Sequence, residues 1–83
     1  MSGKLKIERV QTGVRIEKRL LKVMKGLAEY LGMSLGDVIE GIVLHAFDGK
    51  APFSERTIKK IQELKKVYDL DLNGDDSHKL IEK

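Results

Sequence analysis

The side chains able to do chemistry are few in this sequence, and they do not cluster. Its two histidines, His45 and His78, are far apart, and the absence of cysteine excludes a thiol nucleophile, a thiolate metal site and a disulfide. No histidine pair has the spacing of a metal site, and no glycine-rich run has the pattern of a phosphate-binding loop. We therefore expect no enzymatic activity, no metal site and no cofactor.

One run of alternating polar residues resembles the start of a calcium-binding loop. Residues 69–75 read Asp-Leu-Asp-Leu-Asn-Gly-Asp, which matches the first seven positions of an EF-hand loop. The twelfth position of such a loop requires a bidentate glutamate, and this position is Leu80. The sequence therefore favours the alternative, a helix end followed by a polar turn.

Charge is distributed unevenly along the 83 residues, although the net charge is only +3. Residues 1–33 carry eight Lys or Arg against three Glu, a net charge of +5, whereas residues 34–83 carry eight against ten acids, a net charge of −2. A basic end on a small domain indicates a polyanionic partner such as nucleic acid, and the alternative is a solvated lysine-rich helix face. No apolar run approaches the ~20 residues that span a bilayer, so we expect a cytoplasmic protein without a membrane partner.

Residues 9–16 have the period-2 pattern of a half-buried strand. The residues on one face are apolar or β-branched, namely Val10, Thr12, Val14 and Ile16. A single strand has no partner for its backbone groups within its own chain. We therefore expect it to pair with the same strand of a second copy.

Helical spacing of apolar residues replaces this alternation from Glu17 onward. Gly32 is expected to end the first helix in a left-handed conformation, Ser34 to cap a second helix, and Ser54 to cap a third. Gly41, inside the second helix, predicts a close approach between helices.

Three segments make up the predicted organisation. Residues 1–8 form a flexible basic arm, and residues 9–49 form the main domain. Residues 50–83 form a C-terminal extension with one amphipathic helix over about 54–70 and a frayed tail.

The order strand, helix, Gly-x-Ser turn, helix resembles the ribbon-helix-helix family of DNA-binding proteins, which includes Arc- and CopG-like repressors. The resemblance covers about residues 9–48, and its most specific part is the run 28–39, Ala-Glu-Tyr-Leu-Gly-Met-Ser-Leu-Gly-Asp-Val-Ile. It implies a mostly helical fold in which the strands of two chains form an antiparallel ribbon that lies in the major groove. A third, C-terminal helix would be added to this fold.

The resemblance also implies roles for particular residues. The outward residues of the strand, Gln11, Gly13 and Arg15, would read bases, since Arg can bind guanine and Gln adenine through two hydrogen bonds. Gly13 has no side chain to read with, and the alternative is that it marks a bulge in a strand used for dimerisation. DNA phosphates would be bound at the N-terminus of the second helix and on the basic side of the first, by Ser34, Leu35, Gly36, Lys18 and Lys22. The shared core of the homodimer would contain Thr12, Val14, Ile16, Leu20, Val38, Ile39, Ile42 and Val43.

The expected function is that of a repressor-like, sequence-specific transcriptional regulator that binds a double-stranded DNA operator as a homodimer. The alternative is a protein-interaction module, such as an antitoxin. In that case residues 50–83 would bind a protein partner and the strand would serve mainly dimerisation.

Overall fold

The computed structural model describes residues 3–83, which are mostly helical. Helix α1 spans Lys18–Leu31, α2 spans Leu35–Phe47 and α3 spans Glu55–Val67, and a short 3₁₀ helix follows at Gly74–Asp76. Residues 1 and 2 of the predicted basic arm lie outside the described residues. Within residues 3–83, no helix is both long and apolar enough to cross a membrane.

The strand predicted over residues 9–16 is wrong, because none of residues 3–83 forms a strand. The segment from residue 3 to residue 17 has no regular secondary structure, and Val10 and Val14 are 80% and 73% exposed. Alternating side chains favour an extended backbone, but they provide no partner for its N–H and C=O groups. The ribbon-helix-helix fold class inferred from this strand is therefore also wrong for this structure, which is a three-helix domain preceded by an irregular segment.

Serine side chains cap the starts of α2 and α3, and a glycine in the left-handed conformation ends α1. The predicted caps Ser34 and Ser54 are confirmed, since their Oγ atoms accept the N–H groups of Asp37 at 3.1 Å and of Thr57 at 3.3 Å. The predicted left-handed glycine is also confirmed, because Gly32 has a φ of 69° directly after α1.

The core is a small apolar cluster on one side of α1. Leu27 and Ala28 of α1 and Val38 of α2 are buried together. Half-buried residues from all three helices and from the connector before α3 pack against this cluster, namely Leu31, Ile42, Phe53, Ile61 and Leu64. Helix α1 contacts both α2 and α3, so the other two helices both pack against α1.

The close helix–helix approach predicted at Gly41 is wrong for the single chain. A Cβ atom at Gly41 would meet nothing within 4 Å, because this side of α2 faces open space. The close approach lies instead at Gly26 of α1, where a Cβ would come within 3.0 Å of the Leu64 Cδ2 atom of α3. A glycine inside a helix permits a close approach because it has no side chain. Whether another helix lies against that glycine depends on how the helices pack.

Candidate nucleic-acid interface

Three exposed lysines follow one side of α1. Lys18, Lys22 and Lys25 recur at spacings of four and three residues, which places them on one face of the helix. No ion pair within residues 3–83 involves any of the three. The Lys22 Nζ atom lies 5.9 Å from the centre of the Tyr68 ring. We call these three lysines the basic face.

The start of α1 is fixed by Glu17, which serves as its N-cap. The Glu17 Oε1 atom accepts the N–H of Leu20 at 2.8 Å, and Oε2 accepts the Nε–H of Arg19 at 3.1 Å. These hydrogen bonds, foremost the one from Leu20, hold the pKa of Glu17 below its ordinary value. The hydrogen bond to Glu17 in turn raises the pKa of Arg19. The carboxylate therefore keeps its charge at the helix N-terminus, where the helix dipole favours it.

Arg19 also holds the C-terminal segment against α1. Its Nη1 atom donates to the Asp69 carbonyl oxygen at 2.8 Å and lies 3.1 Å from Asp71 Oδ1. Leu70, between these two residues, is buried. One apolar side chain and one guanidinium thus anchor the chain after α3 beside the basic face.

Arg9 connects the N-terminal segment to α2. Its Nε and Nη2 atoms donate to the two carboxylate oxygens of Glu40, each at 2.9 Å, and Nη2 lies 3.6 Å from Asp37 Oδ1. The hydrogen bonds with Glu40 raise the pKa of Arg9, and the same bonds lower the pKa of Glu40. The segment is therefore attached to the first turns of α2 by charge and not by a backbone ladder.

The predicted base-reading residues Gln11, Gly13 and Arg15 are all exposed in the N-terminal segment. Nothing lies within 4 Å of the position that a Cβ of Gly13 would take. Arg15 is paired within the chain, because its Nε atom donates to Glu82 Oε1 at 3.0 Å and its Nη2 atom donates to Oε2. The Nε–Nη2 edge of the Arg15 guanidinium is thus occupied by the side-chain carboxylate of Glu82.

The predicted phosphate-binding residues fall into two groups that the chain does not bring together. Lys18 and Lys22 lie near the start of α1, whereas Ser34, Leu35 and Gly36 follow its far end. A helix of this length separates them by about 20 Å along its axis. At the second group, Ser34 Oγ takes the N–H of Asp37, which leaves the first amides of α2 as the available donors.

The residues predicted for a shared dimer core differ in burial within the single chain. Val38 is buried, and Ile39 and Ile42 are half-buried, so these three belong to the chain's own core. The others keep a third or more of their surface exposed, namely Thr12, Val14, Ile16, Leu20 and Val43.

Sequence reasoning missed the ion pairs that cross between the two ends of the chain. It singled out the acidic run 69–75 for its resemblance to a calcium loop, but Asp71 binds Arg19 instead. No group of three or more potential metal ligands occurs in the described part of the chain. The run is a polar turn, in which the Asn73 N–H donates to Asp76 Oδ2 at 2.9 Å. The pairing of Arg15 with Glu82 has no local sequence signal, because the two residues are distant along the chain.

The candidate interface is the basic face together with the irregular segment that leads into it. A shallow cavity of about 640 Å³ lies beside the basic face, and its lining includes Lys18, Lys22, Tyr68 and Lys83. Tyr68 is half-buried, and cations beside an aromatic ring suit a polyanion with stacked rings. The chain matches no protein-family model, no curated protein and no solved structure, so this interface is defined by the charges and contacts of the chain itself.

Proposed function

We propose that the protein is a sequence-specific, DNA-binding regulator of transcription that acts as a homodimer. The observation that carries the proposal is the basic face, three exposed lysines on one side of α1 without carboxylate partners among the described residues. The segment that directly precedes α1 in sequence contains the exposed residues Gln11 and Arg15. Positive charge beside side chains that can recognise bases is the combination that operator binding requires.

The lysines of the basic face are proposed to bind DNA phosphates. Each phosphate neutralised by a lysine releases condensed counterions, so log K falls with log salt by about 0.9 per contact. Such contacts position the protein without reading the sequence. Removal of one lysine should therefore weaken binding to every duplex by a similar factor.

Bases are proposed to be read by Gln11 and Arg15 in the N-terminal segment. The groups of guanine and adenine that Arg and Gln recognise lie in the major groove, so the segment is proposed to lie there, a role that needs exposed side chains and not a ribbon. Arg15 can form two hydrogen bonds with guanine, and Gln11 can form two with adenine. Each such pair discriminates against the wrong base by about 1–3 kcal/mol.

A second copy of the chain is proposed as a partner because the single chain has a small core. Five apolar side chains are buried among the described residues, whereas the exposed large ones include Val14, Leu44 and Phe47 at 73%, 63% and 81%. Domains of this size commonly gain stability from a partner chain. A two-fold dimer would place two basic faces on one operator.

The alternative, a protein-interaction module that uses residues 50–83, has less support. Ile61 and Leu64 of α3 pack against the core of their own chain. A helix that already covers its own domain has less apolar surface to offer to a foreign protein. We therefore assign α3 a structural role in the proposal.

The test is selection of duplexes from a random pool, followed by titration of a selected and a scrambled duplex at about 50 mM and about 200 mM salt. Lys22→Gln should weaken binding to both duplexes and reduce the salt slope by about one unit. Lys59→Gln removes the same charge from an exposed position of α3 and is the matched control. Equal losses from the two substitutions would show that net charge, not the basic face, determines binding.

Arg15→Ala tests the reading of bases separately. It should weaken binding to the selected duplex much more than to the scrambled one, since base contacts specify and phosphate contacts do not. Equal weakening on both duplexes would reassign Arg15 to phosphate binding. Failure of the wild-type protein to bind either duplex at about 50 mM salt would overturn the proposed function and leave the protein-interaction module.

A further inference from the structure

The N-terminal segment and the C-terminal tail meet at Arg15, the residue proposed to read bases. Arg15 is bound by both carboxylate oxygens of Glu82, a residue of the C-terminal tail. A guanidinium presents parallel N–H groups along two edges, Nε with Nη2 and Nη1 with Nη2, and Glu82 holds the first of these edges. While Glu82 is bound, the Nε–Nη2 edge is closed to a guanine, and the carboxylate places a negative charge beside Arg15 that repels a DNA phosphate.

The chain that precedes the C-terminal tail is anchored to the helical domain, and this anchoring brings the tail close to Arg15. Leu70 is buried, and Arg19 holds the Asp69 carbonyl and the Asp71 carboxylate beside the start of α1. The 3₁₀ turn Gly74–Asp76 then shortens the path of the chain toward its end. This anchoring keeps the effective concentration of Glu82 near Arg15 high.

The tail carries negative charge to the basic end of the chain. Residues 68–83 contain five acidic residues against two lysines, a net charge of −3. Both arginines at the entrance to α1, Arg15 and Arg19, have carboxylate partners from this segment. Carboxylates and DNA phosphates compete for the same guanidinium groups by the same charge-assisted hydrogen bonds.

We propose that the C-terminal segment 68–83 is an intramolecular competitor of DNA, and that Glu82 occupies Arg15 until a base or phosphate displaces it. This inference rests on the proposed function. Since the pair is exposed, it is a reversible competitor and not a block. Its effect is to lower the affinity for DNA sites that bind Arg15, by the free energy needed to displace Glu82.

Glu82→Gln is the test, with Asp75→Asn as the matched control. Both substitutions remove one negative charge from the same segment, but Asp75 has no side-chain contact with an arginine in residues 3–83. Glu82→Gln should tighten binding of the selected duplex about two- to fivefold, the range expected for an exposed ion pair. Asp75→Asn should change the affinity for the selected duplex by less than half of the change caused by Glu82→Gln. Equal tightening by the two substitutions would overturn the competition at Arg15.

A readout without DNA separates this inference from the proposed function. The rate at which phenylglyoxal modifies Arg15, followed by mass spectrometry, should rise severalfold in Glu82→Gln and stay unchanged in Asp75→Asn. Arg56, which is exposed on α3, is the internal standard. An unchanged rate at Arg15 would show that the pair does not form in solution and would overturn the inference, even if the wild-type protein binds DNA. A raised rate in a protein that binds no DNA would confirm the pair, but would overturn both the competition and the proposed function.

Discussion

Arginine and lysine have different surroundings at the basic end of the chain. Arg9, Arg15 and Arg19 each bind a carboxylate of their own chain, whereas the lysines of the basic face bind none in the described part. The planar guanidinium matches the two oxygens of a carboxylate, while an ammonium is a compact and strongly hydrated charge. An approaching polyanion therefore meets the lysines first and must displace a carboxylate to reach an arginine.

At the residue scale, we expect protonation of Glu17 in acid to lower the stability of the fold. The pKa of Glu17 is lowered in the folded chain from the ordinary value of 4.5 by the hydrogen bond from Leu20 N–H. Because this pKa is lowered, the stabilisation by the Glu17 carboxylate is fully present above pH 4.5. It is lost as the pH falls through the pKa of Glu17 in the folded chain. We expect the Tm to fall on acidification below that pH, and to fall less in Glu17→Gln. Thermal unfolding followed by circular dichroism from about pH 6 to about pH 3 measures this. An identical decline in both proteins would contradict the capping role of the charged side chain.

At the scale of elements, the helix ends are the part of the fold that the sequence predicts well. Ser34, Ser54 and Gly32 act through bonds to residues within one turn, so their effect depends little on the rest of the chain. The alternation over residues 9–16 is equally regular, but a strand needs a second strand and no pattern within the segment can supply one. Capping is a local interaction and was predictable, whereas strand pairing is non-local and was not.

The second prediction compares the two serine caps. Ser34→Ala and Ser54→Ala each remove an oxygen that accepts a backbone N–H, at Asp37 and at Thr57. Each should lower the free energy of unfolding in urea by about 0.5–2 kcal/mol. If the first amides of α2 bind a phosphate, as predicted from the sequence, only Ser34→Ala should also weaken binding to the scrambled duplex, because only that cap precedes those amides. If both variants bind this duplex as the wild type does, Ser34 is a cap and nothing more.

The third prediction compares two glycines inside helices. An alanine at Gly41 meets nothing within 4 Å, whereas an alanine at Gly26 comes within 3.0 Å of Leu64 Cδ2. Gly41→Ala should therefore stabilise the chain by up to about 1 kcal/mol through helix propensity. Gly26→Ala should gain less or lose stability, because α3 or the Leu64 side chain must shift. Urea unfolding of the two variants gives the comparison, and a destabilised Gly41→Ala protein would show that a second chain packs against that side of α2.

At the scale of the whole molecule, the sequence predicted which helical residues form the core better than it predicted long-range contacts. Of the helical residues predicted for the core, Val38 is buried and Ile39 and Ile42 are half-buried. The alternation over residues 9–16 and the ribbon-helix-helix resemblance placed Thr12 and Val14 in a core shared by two chains, and both residues are exposed in the single chain. The pairing of Arg15 with Glu82 depends on how the C-terminal segment folds back, and a charge on an exposed surface has no periodic pattern that could reveal its partner.

The fourth prediction concerns self-association. Val14 and Val67 are 73% and 69% exposed in the single chain, so an aspartate at either position should leave the three helices folded. If a second copy covers Val14, Val14→Asp should lower the average mass measured by sedimentation equilibrium, because an uncompensated charge is costly to bury. Val67→Asp, on the last turn of α3, is the control and should leave the mass unchanged. A wild-type protein that sediments as a monomer at all concentrations would contradict the homodimer.

The position of α1 in the contacts between helices has a consequence for local opening of the fold. Helix α1 packs against both α2 and α3, so either neighbour can detach while the other remains docked on it. For the α1 backbone to open, α1 must lose its contacts with both α2 and α3. This opening should therefore require more free energy than any other local opening. Amide hydrogens around Val23, Leu27 and Ala28 should therefore exchange with solvent only through global unfolding. Those of α2 and α3 should exchange through smaller openings, because each of these helices can detach while the other stays packed on α1.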